Sequence, residues 1–209
     1  MMRTLLKFVV ILAAVCIVMG GGVAALYGLW RGRIAEREAA ARRAAVQKVV
    51  PGGATIDLDR PLAGEAGTPT AVYAARNAEG ETVAYVAAGA AQGYASTVRV
   101  MVGALPTPQG LTIHKVAVTA QAETPGLGAK VAEQRSTYTL WQKLGQILFG
   151  SDQPERVFNP FLERFEKKTA RQAPDVQAIT AATITSSAAK QAVQQALKRM
   201  REAKASRER

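Results

Sequence analysis

One stretch of the chain, residues 180–187 with the sequence TAATITSS, combines residue types that can bind a phosphate. It precedes a long helix-forming run, and the start of a helix offers unpaired N–H groups and the positive end of the helix dipole. Small side chains at Ala181 and Ala182 leave room for a bulky group. Hydroxyl groups would stand beside these N–H groups at Thr180, Thr183, Thr185 and Ser186. The stretch predicts a phosphate site, with helix capping by one Thr or Ser as the alternative.

A second stretch, residues 123–130 with the sequence ETPGLGAK, directly follows the longest predicted strand. Proline fixes one backbone angle, and the two glycines permit positive φ or a close backbone approach. Such a loop can lie flat against a ligand with its amides exposed. The alternative interpretation is an ordinary turn.

Cysteine and histidine usage limits the chemistry that the chain can perform alone. Its one cysteine, Cys16, lies in an apolar segment, so the chain by itself forms no disulfide, cysteine-based zinc site or iron–sulfur cluster. Its one histidine, His114, lies in a strand-like segment, where we expect a structural or surface role. Redox chemistry would therefore need a bound organic cofactor.

The elements that position the two stretches can be predicted from hydrophobic periodicity. Alternating segments separated by turn-forming residues predict an antiparallel meander with strands at 71–76, 82–91, 96–105 and 111–123, after a loop at 51–69. Helical patterns follow at 138–149, at 161–168 as a short helix or turn, and at 185–201. The fold class is α+β, with the apolar stripe of the last helix packed on a mainly antiparallel sheet.

The amino-terminal part predicts a membrane anchor. Residues 8–30 carry no charge and no proline, and a helix of this length, about 35 Å, can span a bilayer core. A cleaved signal peptide is the alternative. Residues 31–50 predict a connecting helix that packs on the domain through Ile34, Ala41, Ala45 and Val49. The predicted organisation is anchor 1–30, connecting helix 31–50, domain 51–201 and basic tail 202–209.

The net charge of +11 is concentrated outside the predicted domain. Residues 31–50 and 198–209 each hold six Lys or Arg against two Glu, whereas residues 51–197 are nearly neutral. This distribution disfavours a nucleic-acid partner and suits anionic lipid headgroups, with solvated helix faces as the alternative. By the positive-inside rule, the cluster after the apolar segment favours a cytoplasmic carboxy-terminal domain.

Three stretches together resemble a known family. They are GYASTVRVMVGA at 93–104, ETPGLGAK at 123–130 and TAATITSSA at 180–188. Their order and spacing are similar to those of the G subunit of the Rnf-type electron-transport complex. That subunit belongs to a wider group of FMN-binding domains that includes the C subunit of sodium-translocating NADH:quinone reductase. Ala181 stands where this family more often has glycine, and residues 131–160 match nothing recognisable.

The resemblance implies a cofactor and its attachment. FMN would be esterified through its phosphate to Thr183, the last threonine of TAAT, by a separate flavin transferase that uses FAD and magnesium. The isoalloxazine ring would be lined by Glu123, Thr124, Leu127 and Gly128. Thr180, Ile184 and Thr185, with Ala181, Ala182 and Ser186 beside them, would surround the phosphate and ribityl chain. Lys130 would favour the anionic reduced flavin.

The resemblance also implies a role and a location. The chain would be a single-pass electron-transfer subunit of a bacterial inner-membrane complex that couples ferredoxin and NAD to Na⁺ or H⁺ translocation, without independent catalysis. Its partners would be the other subunits, the flavin transferase and lipid, and its flavin domain would face the periplasm, against the charge count. Alternatives are the NADH:quinone reductase C subunit, a stand-alone flavinylated protein, and an anchored domain that binds an anionic ligand noncovalently.

Overall fold

The computed structural model describes residues 2–108, 110–136 and 157–207. Two compact units are present, one that ends at Arg42 and one that begins at Arg43. The elements are α1 (Met2–Val49), β1 (Thr55–Ile56), β2 (Val72–Arg76), β3 (Thr82–Gln92), β4 (Thr97–Thr107), β5 (Gly110–Ala120), β6 (Arg135–Ser136), β7 (Val157–Phe158) and α2 (Thr183–Arg207), with 3₁₀ turns at Gly128–Ala132, Leu162–Phe165 and Ala173–Asp175. The helix predicted at 138–149 lies outside the described residues.

Helix α1 joins the predicted anchor and connecting helices into one continuous element. Its residues Leu6–Val49 contain an 18-residue window of mean hydropathy 2.7, none of it buried. By length and composition this helix can cross a membrane. At the end of the apolar run the guanidinium of Arg33 lies 5.7 Å from the ring centroid of Trp30, which is a cation–π contact.

The five-stranded sheet has the order β1-β2-β3-β4-β5, with every pair antiparallel. This confirms the predicted meander. The observed bounds of β2, β3 and β4 agree with the predicted bounds within two residues. Strand β5 ends at Ala120, earlier than predicted, because the backbone leaves the sheet and Glu123 N bonds the side chain of Gln121 at 2.7 Å. The loop predicted at 51–69 contains the short strand β1, which pairs with the end of β2.

Helix α2 packs on one face of the sheet through the predicted apolar stripe. Six of its side chains are completely buried in this core: Ala189, Ala192, Val193, Ala196, Leu197 and Met200. Two polar side chains of α2 also form hydrogen bonds with backbone groups of β3, in the part of that strand that extends beyond β2. Gln195 Oε1 accepts a bond from Ala90 N at 2.9 Å, and Arg199 donates to Ala88 O at 3.1 Å.

The bounds of α2 differ from the predicted 185–201 at both ends. The helix begins at Thr183 and continues to Arg207, so most of the predicted basic tail is helical. Lys and Arg are good helix formers and favour the carboxy-terminal turn, which explains the extension.

The opposite face of the sheet is covered by the last turns of α1. Ala45, Val46 and Val49 are buried there against side chains of β2, β3 and β4. The prediction of packing at Ala45 and Val49 is confirmed, whereas Ile34 and Ala41 are exposed. The sheet therefore has α2 on one face, and the end of α1 with the following residues Val50, Ile56 and Leu58 on the other.

Candidate functional site

A cavity of about 360 Å³ lies where the loop after β5 meets the start of α2. Its volume falls in the range of roughly 300–1,000 Å³ that is typical of small-molecule sites. The lining residues come from three separate parts of the chain and are Tyr94, Glu123, Thr124, Leu127, Gly128, Ala181, Ala182, Thr183, Ile184 and Thr185. Both stretches singled out in the sequence therefore contribute to one cavity.

The rim of this cavity is apolar and open to solvent. Tyr94, Leu127 and Ile184 are 73%, 47% and 56% exposed. In the described part of the chain, the exposed large hydrophobic side chains outside α1 are these three, and all of them line the same cavity. Because exposed apolar clusters mark binding surfaces, the rim is suited to a flat, largely apolar ligand.

The start of α2 supplies hydrogen-bond donors at the cavity. The first bond of the helix runs from Ser186 N to Ala182 O at 2.8 Å, so the amides of Thr183, Ile184 and Thr185 precede the intrahelical ladder. The side chain of Thr183 is exposed here, at the first helical position. Together with the helix dipole, these N–H groups favour an anionic group beside Thr183.

Ala181 lies just before this helix start with a φ of 65°. An L-residue in the left-handed region is strained by about 1–2 kcal/mol, whereas glycine adopts it freely. The reversal of the chain at Ala181 leads directly into Ala182 and Thr183. This conformation gives a physical reason for the glycine that is commoner at this position in the family that the sequence resembles.

Glu123 is the carboxylate that connects the three segments of the site. It is 6% exposed and accepts bonds from Ser96 N at 2.9 Å, Ser96 Oγ at 3.1 Å and Ala95 N at 3.2 Å, all at Oε1. Its other oxygen, Oε2, accepts a bond from Thr185 Oγ1 at 2.9 Å. The loop before β4, the loop after β5 and the first turn of α2 are thereby joined through one side chain.

These contacts decide the charge of Glu123. Burial acts to raise the pKa of its carboxyl group and is the largest single influence. The bonds donated by the Ser96 amide, the Thr185 and Ser96 hydroxyls and the Ala95 amide act in the opposite direction and together exceed the effect of burial. The pKa of Glu123 is lowered, and the side chain is an anion at neutral pH.

Two glycines make room for this buried carboxylate. A Cβ at Gly128 would lie 2.6 Å from Thr185 Oγ1 and 2.7 Å from Glu123 Oε2. A Cβ at Gly93 would lie 2.5 Å from Glu123 Oε1. Glycine is therefore required at both positions by close approach to Glu123, and in the ETPGLG loop this explains its second glycine.

Three residues expected at the site do not line the cavity. Ser186 is buried, and its Oγ accepts a bond from Ile179 N at 3.0 Å, so its hydroxyl serves the local fold. Thr180 is exposed but precedes the reversal at Ala181, outside the cavity lining. Lys130 lies in the 3₁₀ turn at Gly128–Ala132. Its side chain lines a separate cavity of about 160 Å³ with Arg164.

Two residues of the site were not predicted from the sequence. Tyr94 is part of the Gly-Tyr pattern at 93–94, and an exposed aromatic in a turn was the available signal. Ser96 carried no such signal, because its bond to Glu123 joins residues 27 positions apart. Within the ranges that the structure describes, no group of three or more His, Cys, Asp or Glu side chains is placed to hold a metal ion.

Comparison with known families agrees with this geometry. A family model described as the FMN-binding domain matches residues 93–198, about half of the chain and every residue that lines the cavity. The chain belongs to the FMN-binding domain family. No curated protein matches the chain. Family membership supports a flavin-binding redox role, and the antiparallel sheet with its carboxy-terminal helix is consistent with this domain.

The residues present fit FMN. The apolar rim suits a flat ring system, and the exposed hydroxyl and N–H groups at the start of α2 suit a phosphate. A cavity with mostly apolar walls and a few polar groups at one side is the usual arrangement for such a ligand. FMN supplies one- and two-electron redox chemistry when bound.

Proposed function

We propose that this chain is a membrane-anchored electron-transfer subunit that carries FMN on Thr183 through a phosphoester bond. The observation that carries the proposal is the position of Thr183, which is exposed, lines the cavity and begins α2 beside unpaired backbone N–H groups. A phosphate esterified there would be stabilised by these N–H groups and by the helix dipole.

The surroundings of the neighbouring hydroxyls support Thr183 as the attachment point. Thr185 is buried and donates its hydrogen to Glu123. Ser186 is 0% exposed and is engaged by Ile179 N, and Thr180 lies outside the cavity. Of the hydroxyls at 180–186, Thr183 alone combines exposure with a place in the cavity wall.

Attachment would require a separate flavin transferase with FAD as donor and magnesium, as the family resemblance implies. The Oγ1 of Thr183 would form a bond to the flavin-side phosphorus of FAD as the pyrophosphate bond breaks. AMP would leave, and the hydroxyl proton would pass to solvent. The exposure of Thr183 is compatible with this reaction, because a second protein must reach the oxygen.

The chain's own residues would orient and partly cover the ring system. Tyr94, Leu127 and Ile184 would pack against it and reduce its contact with water. Thr124 and Gly128 would bring backbone close to the ring, and Glu123 would hold the three segments in register. No proton-transfer residue is required of the chain, since its proposed task is to hold the cofactor between electron partners.

Helix α1 would anchor this domain in the membrane, with the mainly apolar run at 8–30 as the spanning part. The single anchor and the three matched stretches support an Rnf-type complex that couples ferredoxin and NAD to Na⁺ or H⁺ translocation. In that assignment the other subunits are its partners, and the flavin domain lies on the periplasmic face. A carboxy-terminal alkaline phosphatase fusion should then be active, and an inactive fusion beside an active cytoplasmic reporter would refute this orientation.

Flavin fluorescence in a denaturing gel tests the covalent bond. The full chain, co-expressed with a flavin transferase, should fluoresce after complete denaturation, and Thr183→Ala should not. Thr180→Ala is the matched control and should retain fluorescence, because Thr180 does not line the cavity. Loss of all fluorescence from the wild type on denaturation would instead support a noncovalent ligand, and unchanged fluorescence in Thr183→Ala would refute the site.

A further inference from the structure

Glu123 has an electrostatic consequence beyond its role in joining loops. Among the described residues that line the cavity, it is the one charged side chain. The lysine nearest in sequence to the ETPGLG loop, Lys130, lines a different cavity. The described part of the chain therefore places a negative charge, and no side-chain cation, in the wall of the candidate flavin cavity.

Four hydrogen bonds to its carboxylate oxygens favour the charged form of Glu123. Two of the three groups that face Glu123 Oε1 are backbone amides, Ala95 N and Ser96 N, which can only donate. The third, Ser96 Oγ, donates to Oε1 at 3.1 Å and itself accepts a bond from Ala122 N at 2.8 Å. Oε1 thus accepts from all three groups, Oε2 accepts from Thr185 Oγ1, and donors on both oxygens favour the ionised carboxylate.

We propose that Glu123 is a positioning and tuning residue whose fixed negative charge lowers the reduction potential of the flavin held in this cavity. The proposal rests on the proposed function. Full reduction of a flavin to its anionic form adds two electrons and one proton, and thus one net negative charge. A carboxylate in the low-dielectric wall repels that added charge, because charges interact more strongly when water is largely excluded.

The start of α2 acts on a different part of the ligand. Its N–H groups at Thr183, Ile184 and Thr185 favour the phosphate, which is negatively charged in every redox state of the cofactor. Glu123 lies on the loop that contributes Thr124, Leu127 and Gly128 to the cavity lining, and its Oε2 contacts this helix start through the side chain of Thr185. The two features are therefore complementary, since one favours retention of the cofactor and the other makes its reduction less favourable.

Glu123→Gln is the direct test, because glutamine can keep the shape of the contacts while it removes the charge. Its oxygen can accept the bonds from Ala95 N and Ser96 N, and its NH₂ group can donate to Thr185 Oγ1. Potentiometric titration of the full-length flavinylated chain should show a higher midpoint potential in Glu123→Gln. We expect the equilibrium constant for two-electron reduction to rise about tenfold, which corresponds to about 30 mV.

Ser96→Ala is the matched control for loss of structure. It removes one hydrogen bond to Glu123 and keeps the carboxylate, so it should reduce stability without raising the potential. A rise in Ser96→Ala as large as that in Glu123→Gln would overturn the proposal, because loosened loops would then explain both results.

A second pair of variants covers the case in which Glu123→Gln fails to fold. Thr124 is exposed and lines the same cavity, so a charge can be added there without disturbing the buried contacts. Thr124→Lys should raise the midpoint potential and Thr124→Glu should lower it. Equal potentials in these two variants would show that wall charge has no effect and would overturn the proposal.

The outcomes separate this inference from the proposed function. A wild-type chain without flavin would overturn both. A flavinylated wild type whose potential equals that of Glu123→Gln would overturn the role of Glu123 alone, and the assignment of Thr183 would stand.

Discussion

Thr185 Oγ1 donates a hydrogen bond of 2.9 Å to Oε2 of Glu123, across 62 positions of sequence. The bond joins the loop after β5 to the first turn of α2, the two segments that form most of the cavity wall. Since both groups are buried, their contact is shielded from water and is worth more than a surface contact. The shape of the site and the stability of the domain are therefore coupled through Glu123.

Glu123→Ala should destabilise the domain by about 3 kcal/mol. The substitution leaves Ala95 N, Ser96 N and the Thr185 hydroxyl without their acceptor, and buried groups that lose a charged partner carry a penalty of about 1.5–3 kcal/mol or more. Urea unfolding of the full chain in detergent, followed by circular dichroism, measures the change. The control Glu79→Ala, at an exposed turn position, should change stability by less than about 0.5 kcal/mol. Equal losses of stability in the two variants would refute the role of Glu123.

Gly128→Ala should destabilise the same network by about 2 kcal/mol, because overpacking a well-packed region costs about 1–3 kcal/mol. The new Cβ would lie 2.6 Å from Thr185 Oγ1 and 2.7 Å from Glu123 Oε2. The matched control is Gly52→Ala, since a Cβ at Gly52 meets nothing within 4 Å. Thermal unfolding should show a clear decrease for the first variant only, and a decrease of the same size in both would argue against the packing described.

Ala181→Gly should stabilise the domain, by up to about 1 kcal/mol. Relief of the left-handed conformation at φ 65° is worth about 1–2 kcal/mol, and the greater freedom of glycine in the unfolded chain offsets about 0.4–1 kcal/mol of it. Ala188→Gly, within α2, should instead lose about 1 kcal/mol. Opposite shifts in melting temperature are expected, and a loss of stability in both variants would contradict the strained turn.

Acid should weaken the domain through Glu123. Its folded pKa lies below the ordinary 4.5, so the unfolded chain binds the proton more readily than the folded chain. The stabilisation is therefore present above about pH 4.5 and is lost as the pH falls through the lowered pKa. Unfolding free energies measured across this range should decline more steeply for the wild type than for Glu123→Gln. Parallel curves would show that another group is responsible.

The sequence predicted the fold well where local pattern determines structure. Alternating residues located β2, β3 and β4, and the stripe at Ala189, Val193 and Leu197 placed α2 on the sheet. The sequence predicted the ends of helices and strands less accurately, because these ends depend on contacts that form only in the folded domain. Strand β5 ends early where Glu123 turns inward, and α2 begins at Thr183 rather than at Thr185.

The sequence indicated the two stretches that line the cavity, but it indicated the roles of their individual residues less well. Periodicity and composition carry no signal for the bonds that make Glu123 a buried acceptor, since Ser96 and Thr185 lie far away in sequence. Ser186 shows the same limit, because a hydroxyl that could face a phosphate is instead engaged by Ile179 N. The left-handed backbone conformation of Ala181 could not be predicted either, because alanine rarely adopts it.

The intact mass of the full-length chain, purified after co-expression with a flavin transferase, tests the central proposal most directly. A phosphoester at Thr183 predicts the mass of the chain plus one FMN less one water, with the added mass on the peptide that contains Thr183 and absent from Thr183→Ala. An unmodified chain from which acid releases all flavin, or a modified peptide that places the flavin on Thr180 or Thr185, would contradict it.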